Sequence, residues 1–186
     1  KCWHHLPSCE GHVHNGDRAL TIEFTDAMVG IDEREWNALL EPADRPLLSW
    51  NFLALLEESG SITPETGWTP AHLLVRRLDQ GSTGKGRLVA AAPFYVRTDS
   101  WGDFVFDFEF AEAASLKGAH YYPKLVGSVP VTPAPAWRVL VGPGEDRHAL
   151  EAFVVDVAEE AARQAGLAGI HLNWPEPEFA RRIQAA

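Results

Sequence analysis

The sequence predicts an α/β fold, a mixed and mostly antiparallel sheet flanked by helices. Three observations predict it. The runs His72–Leu78 and Arg87–Val96 are largely apolar and flank a glycine-rich linker, as two strands of a hairpin would. From about Glu145 to Ala165, Leu150, Phe153, Val154, Val157, Ala158, Ala161 and Ala165 fall on one helical stripe that ends at Gly166. The chain has 186 residues, 46% hydrophobic and 23% charged, which suits one globular domain with a real core.

The elements follow in order. Leu20–Phe24 alternates as a first strand. Asp32 is placed to cap a helix, with Glu35 three residues on and Ile31 able to staple onto Trp36. Trp36, Leu39 and Leu40 share a face of that helix, and Pro42 and Pro46 break it. Ser49 caps a second helix, which Gly60 stops. The linker Gln80–Gly86 has a Gly-Lys pair, but a Walker loop needs Ser or Thr after the lysine and then a helix. Here Gly86 and a strand follow, so a hairpin loop is expected. From Asp103 to Phe110 aromatics alternate with acids. In an extended segment Phe104, Phe106, Phe108 and Phe110 share one face, and Asp103 and Asp107 lie on the other, about 13 Å apart. Arg138–Val141 and Ile170–Trp174 read as strands, and a last helix starts at Pro177.

Residues 1–18 stand apart as a flexible or non-native tail, with the domain over 19–186. The tail holds both cysteines, Cys2 and Cys9, and His4, His5, His12 and His14. A Cys/His metal site is one reading, but the close cysteine pair of a zinc finger is missing, and no metal is expected. The cysteine-free body fits a reducing cytoplasm. A net charge of −10 argues against a nucleic-acid surface. No apolar run approaches the roughly 18 residues of a membrane span.

Several motifs occur in a fixed order: Trp50-Asn51-Phe52-Leu53, Gly67-Trp68-Thr69-Pro70-Ala71-His72, Ala91-Ala92-Pro93-Phe94-Tyr95, Gly102-Asp103-Phe104-Val105-Phe106-Asp107, Tyr121-Tyr122-Pro123-Lys124-Leu125 and Pro130-Val131-Thr132-Pro133. In this the chain resembles the FemAB-like proteins of peptidoglycan biosynthesis and recognition, a branch of the GNAT acyltransferase superfamily. Family members usually read Lys, His-Ser and Gly-Glu where this chain has Arg97, Asp99-Ser100 and Gly102-Asp103. The resemblance implies a GNAT-like sheet lacking its closing strands. It also implies a second GNAT-like half as partner, the present chain being the N-terminal half of a longer protein.

The implied activity is acyl or aminoacyl transfer to an amine acceptor, a peptidoglycan precursor or peptide. The alternative is a ligand-recognition or structural half without catalysis. Asp107 and Tyr122 are the candidate catalytic residues, a carboxylate to position the amine and a phenol to protonate the leaving group. His72, Arg97, Ser100, Asp103, Tyr121 and Lys124 are candidate substrate-binding residues. GNAT enzymes hold acyl-CoA on backbone amides at a strand-to-helix turn, and here Arg138, Gly142 and Gly144 occupy that place. One residue too many precedes the first glycine, Pro143 removes a donor, and Glu145 and Asp146 add negative charge. A plain tight turn is the competing reading.

Overall fold

The computed structural model describes residues 13–14, 19–78, 85–101 and 103–185. The elements are β1 (Val13–His14), β2 (Ala19–Thr25), α1 (Glu33–Asn37), α2 (Trp50–Glu58), β3 (Trp68–Pro70), β4 (His72–Arg77), β5 (Arg87–Ala92) and β6 (Phe94–Arg97). Then follow α3 (Phe108–Leu116), β7 (Lys124–Gly127), β8 (Leu140–Val141), α4 (Arg147–Gln164), β9 (Ile170–Leu172) and α5 (Pro177–Gln184). They build two sheets flanked by helices. The first runs β1-β2-β4-β5-β8 and is antiparallel throughout. The second runs β3-β6-β7-β9 and is antiparallel except for the β7–β9 pair.

Two joints carry the chain from one sheet to the other. The run Arg87–Val96 was expected as one strand but is two. Pro93 has no N–H to donate to a ladder, so pairing stops there and resumes in the second sheet. The Pro93 carbonyl accepts instead from Trp137 Nε1 at 2.8 Å. Ala71, between β3 and β4, makes the matching joint, and its N–H donates to the Phe94 carbonyl at 2.8 Å.

The first sheet is buried on both faces, which explains its continuous apolar runs. Leu73, Val75 and Val89 join Leu150, Val154 and Ala158 of α4 in the larger core. Leu74, Leu88 and Ala91 face Trp36, Leu53 and Ala54 of α1 and α2. Local signals set these helices. Asp32 accepts the N–H groups of Arg34 and Glu35 at 2.8 and 3.0 Å, and Asp146 accepts that of Ala149 at 3.1 Å. Ser49 holds the cap position of α2, but its hydroxyl donates back to the Pro46 carbonyl at 2.6 Å.

The second sheet is different. One face, with Phe94, Val96 and Leu125, packs into the larger core. Alternation then sends Tyr95 and Arg97 the other way. The register puts Trp68 and Lys124 beside Arg97, Val126 beside Tyr95, and His171 beside Val126. This polar face is the floor of the candidate site.

The alternating segment Asp103–Phe110 is corrected most. It is a loop that enters α3 at Phe108, not a strand. The polarity also runs opposite to that of an ordinary core strand: Asp103 and Asp107 are buried and the phenylalanines face outward. The reason lies on the floor. Arg97 and Lys124 are fully buried cations, and leaving them without counter-charge would cost far more than exposing aromatic rings. The linker 80–86 lies mostly, and the tail 1–18 almost wholly, outside the described residues.

Candidate functional site

Two buried ion pairs organise the floor. In the first, Lys124 Nζ donates to Asp107 Oδ2. Tyr121 and Tyr122 donate their hydroxyls to the two oxygens of the same carboxylate, each at 2.9 Å. Tyr122 has thereby used its only proton, so Ser100, 2.5 Å away, is the donor to Tyr122. The ammonium of Lys124 lies 4.5 and 4.8 Å from the centroids of the Tyr121 and Tyr122 rings, a cation–π cradle. His171 packs edge-on against Tyr121 at 5.6 Å.

In the second pair, Arg97 Nη2 lies 2.8 Å from Asp103 Oδ1. The guanidinium stacks on Trp68 with Cζ 3.6 Å from the ring centroid, and it donates to the carbonyls of Gly67 and Trp101 at 2.5 and 2.7 Å. Gly67 sits at φ +76°, and a Cβ there would meet Asp99 Oδ2 at 2.6 Å, so this approach requires glycine. Neither Asp103 oxygen makes an aligned hydrogen bond among the described residues, and Arg97 Nε has no partner there either.

Electrostatics separates the two carboxylates. Burial alone would raise the Asp107 carboxyl, but the hydrogen bonds from Lys124, Tyr122 and Tyr121, with the Ser100 hydroxyl beside them, outweigh it and hold it well below the usual carboxylate range. Burial pushes Asp103 up, with Arg97 opposing and the charge of Asp107 adding. Burial and the Asp107 contact raise Tyr121, and burial lifts Tyr122 to about 12, so both phenols keep their protons at neutral pH. His171 is lowered by burial and by Lys124.

The two acids therefore act on stability with opposite sign. The depressed Asp107 contributes stability that is present above about pH 4, the unfolded carboxyl range, and is lost as pH falls below it. The raised Asp103 works the other way, favouring the fold as it gains its proton. Urea midpoints from pH 7 down to 2 should fall steeply for the native chain and less steeply for Asp107→Asn. Parallel curves would mean that Asp107 titrates as an ordinary carboxylate.

Of the residues expected at the site, Arg97, Ser100, Asp103, Asp107, Tyr121, Tyr122 and Lys124 come together. Asp103 and Asp107 are not two residues along one strand face. They belong to two neighbouring pairs close enough for each charge to act on the other. His72 lies outside the cluster. It is fully buried between Trp36 and Tyr95, and its Nε2 is 2.8 Å from Glu57 Oε1. Glu57, whose other oxygen accepts the Met28 N–H at 2.8 Å, was not singled out, and neither was His171. Only tertiary packing distinguishes them from other exposed-looking polar residues.

Of Arg138, Gly142 and Gly144, the first two are already engaged within the protein. Arg138 holds Asp44 through Nε and Nη2 at 2.7 and 2.8 Å and lies 3.0 Å from Glu41. The Gly142 N–H is spent on the Val89 carbonyl at 2.9 Å, and Pro143 has none. Glu145 fills the turn with a carboxylate bonded to Arg77 and Arg87, at 2.6 and 2.5 Å. The turn thus offers a pyrophosphate no donor from Gly142 or Pro143. Among the described residues no His, Cys, Asp or Glu group has the arrangement of a metal site, and no helix is long and apolar enough to cross a membrane.

Comparison with known proteins agrees with the motif order. Searches of curated proteins and of solved structures return no match. A family model for peptidoglycan biosynthesis/recognition matches residues 27–186, which takes in both ion pairs, the whole second sheet and the first sheet from β4 on. The chain belongs to the FemAB-like family of peptidoglycan biosynthesis and recognition proteins.

Proposed function

We propose that this domain binds an amine-bearing peptidoglycan precursor on the polar face of the second sheet and takes part in acyl or aminoacyl transfer to that amine. The observation that carries this reading is the division of labour between the two carboxylates. Asp107 accepts from three side chains and is held deprotonated, so it is a poor base and acts as the anchor of Lys124 and the tyrosines. Asp103 makes no aligned hydrogen bond through either oxygen among the described residues and has a raised affinity for protons, which suits a group that receives one.

In the transfer step the acceptor nitrogen forms a bond to the carbonyl carbon of an activated ester or thioester. The nitrogen's proton passes to Asp103 and the bond to the leaving oxygen or sulfur breaks. Tyr122, which keeps its proton at neutral pH, turns that proton from Asp107 to the leaving atom, with Ser100 donating behind it. The carboxylate that meets the acceptor amine is then Asp103 rather than Asp107.

A second reading is a recognition half that binds the precursor while chemistry occurs elsewhere. The 142–144 turn favours it, because the Gly142 N–H is spent on the Val89 carbonyl and Pro143 has none, which leaves an acyl-CoA donor fewer amides to hold there. One experiment separates the two. The purified chain is incubated with an amine-bearing muropeptide and an acyl-thioester or aminoacyl ester, and products are read by mass. Transfer is expected to fall about a hundredfold or more in Asp103→Asn. Saturable muropeptide binding without any mass increment would leave the recognition reading. Neither binding nor transfer would sink both.

A further inference from the structure

An amine acceptor arrives at neutral pH mostly as an ammonium ion, which has no lone pair to attack with. It must lose one proton before the new bond forms and a second as it forms. The transfer step above accounts for the second alone. A group that takes the first must face the site, hold a free lone pair near neutral pH and be able to pass its proton to water.

His171 meets these conditions. It lies on β9 in register with Val126 of β7. Its neighbours Ile170 and Leu172 pack against the larger core, so alternation turns His171 onto the polar floor. The imidazole meets Tyr121 edge-on, with centroids 5.6 Å apart and planes at 83°, and Tyr121 holds Asp107 at 2.9 Å. Among the described residues neither ring nitrogen has a hydrogen-bond partner, and the side chain is only half-buried. His72, by contrast, is fully buried, bonded to Glu57 through Nε2, and its Nδ1 is sealed away.

Few charges face His171. Lys124 on β7 and Asp107 ahead of α3 act on it, and the Tyr121 phenol is its ring neighbour. The helix α4 also packs against β9, but on the core side, where Ile170 and Leu172 point. Burial and the Lys124 charge lower His171 below its ordinary value, with Asp107 opposing, so the ring is neutral at pH 7 and its lone pair is available. The same Lys124 charge disfavours a second ammonium beside it, which eases the loss of the acceptor's proton.

We propose that His171 takes the first proton from the acceptor ammonium and hands it to water, releasing the amine that attacks. The N–H bond breaks and its electron pair stays on the nitrogen as the nucleophilic lone pair. The proton joins one imidazole nitrogen, and the imidazolium returns it to solvent at the exposed edge of the ring. This rests on the reading above and adds to it the residue that readies the acceptor.

The test measures transfer from the acyl-thioester to the amine-bearing muropeptide between pH 6 and 10, in the native chain, His171→Phe and His171→Gln. Phenylalanine keeps a ring against Tyr121 but carries no nitrogen. Transfer is expected to fall about tenfold or more at pH 7 in both variants, since an amine of pKa about 8 is only about one-tenth free there by itself. Muropeptide binding should change little. The deficit should close as pH rises past about 8–10, where amines lose the proton unaided. A His171→Phe chain that transfers like the native one would make the ring a packing edge for Tyr121 and overturn the role. So would a deficit of equal size at every pH, which marks a disturbed site and not a missing base. The two proposals fail distinguishably. No transfer by the native chain removes the catalytic reading and this role with it. Native transfer that neither variant weakens removes this role alone.

Discussion

Replacing Asp107 by alanine is expected to cost about 3–5 kcal/mol of stability, the range for breaking a buried ion pair by removing one partner. Lys124 is 1% exposed and reaches no other carboxylate as an ion-pair partner among the described residues. Without Asp107 it keeps its cation–π contacts with the tyrosines but loses its counter-charge, and the Tyr121 and Tyr122 hydroxyls lose their acceptor. The loss would consume a large part of the ~5–15 kcal/mol that holds a typical domain. Equilibrium urea unfolding at pH 7 measures it. The double variant Asp107→Ala/Lys124→Met should recover much of the loss, because it removes the stranded charge together with its partner. A single-variant loss below about 1 kcal/mol would place this pair with solvent-exposed salt bridges and show that Lys124 reaches water in the folded state.

Gly127→Ala is the second large effect, and its sign runs against local propensity. In a strand interior alanine is ordinarily favoured over glycine by up to about 1 kcal/mol. Gly127 pairs with Phe94 and Leu172, and a Cβ built there lies 2.7 Å from Trp137 Cε2 and 2.8 Å from Cη2. Trp137 has no room to yield. It is fully buried, bonded through Nε1 to the Pro93 carbonyl, and flanked edge-on by Phe94 and Phe179 at 5.3 and 5.4 Å. Overpacking should therefore win, at about 3 kcal/mol. For a chain of this size that lowers the melting temperature by about 6–12 °C. An unchanged or higher melting temperature would mean that the indole swings aside. Because Pro93 is the joint between the sheets, loss of its bond to Trp137 should also loosen the second sheet. Amide exchange in β6 and β7 would register this before global unfolding.

Much of the scaffold was legible from local signals. The Asp32 cap, the stripe from Leu150 to Ala165 and the apolar run at 72–78 each specify their element through a local pattern, while the run at 87–96 shows strand character without its break at Pro93. The motif order from Trp50 to Pro133 identified the family, and most of the cluster around Lys124 was named from it. The misreadings share a cause. The Asp103–Phe110 alternation is a sound strand signal, yet it does not say which face is buried, or that Arg97 and Lys124 wait beneath it. The helix formers Glu109–Leu116, after an acid at the cap position, were the signal for α3.

What the sequence alone determined about this protein is its class, its family and the residue types that meet at the site, because period, capping and motif order are local properties. What only the tertiary structure decided is the division of roles among those residues. The proline joint at Pro93 turns Arg97 onto the outer face of the second sheet, beside Lys124. Two buried cations side by side then pull two acids inward and leave the phenylalanines in solvent. Which carboxylate is saturated and which lacks an aligned hydrogen bond among the described residues follows from that geometry, since desolvation and counter-charge act through space and leave no trace in local spacing.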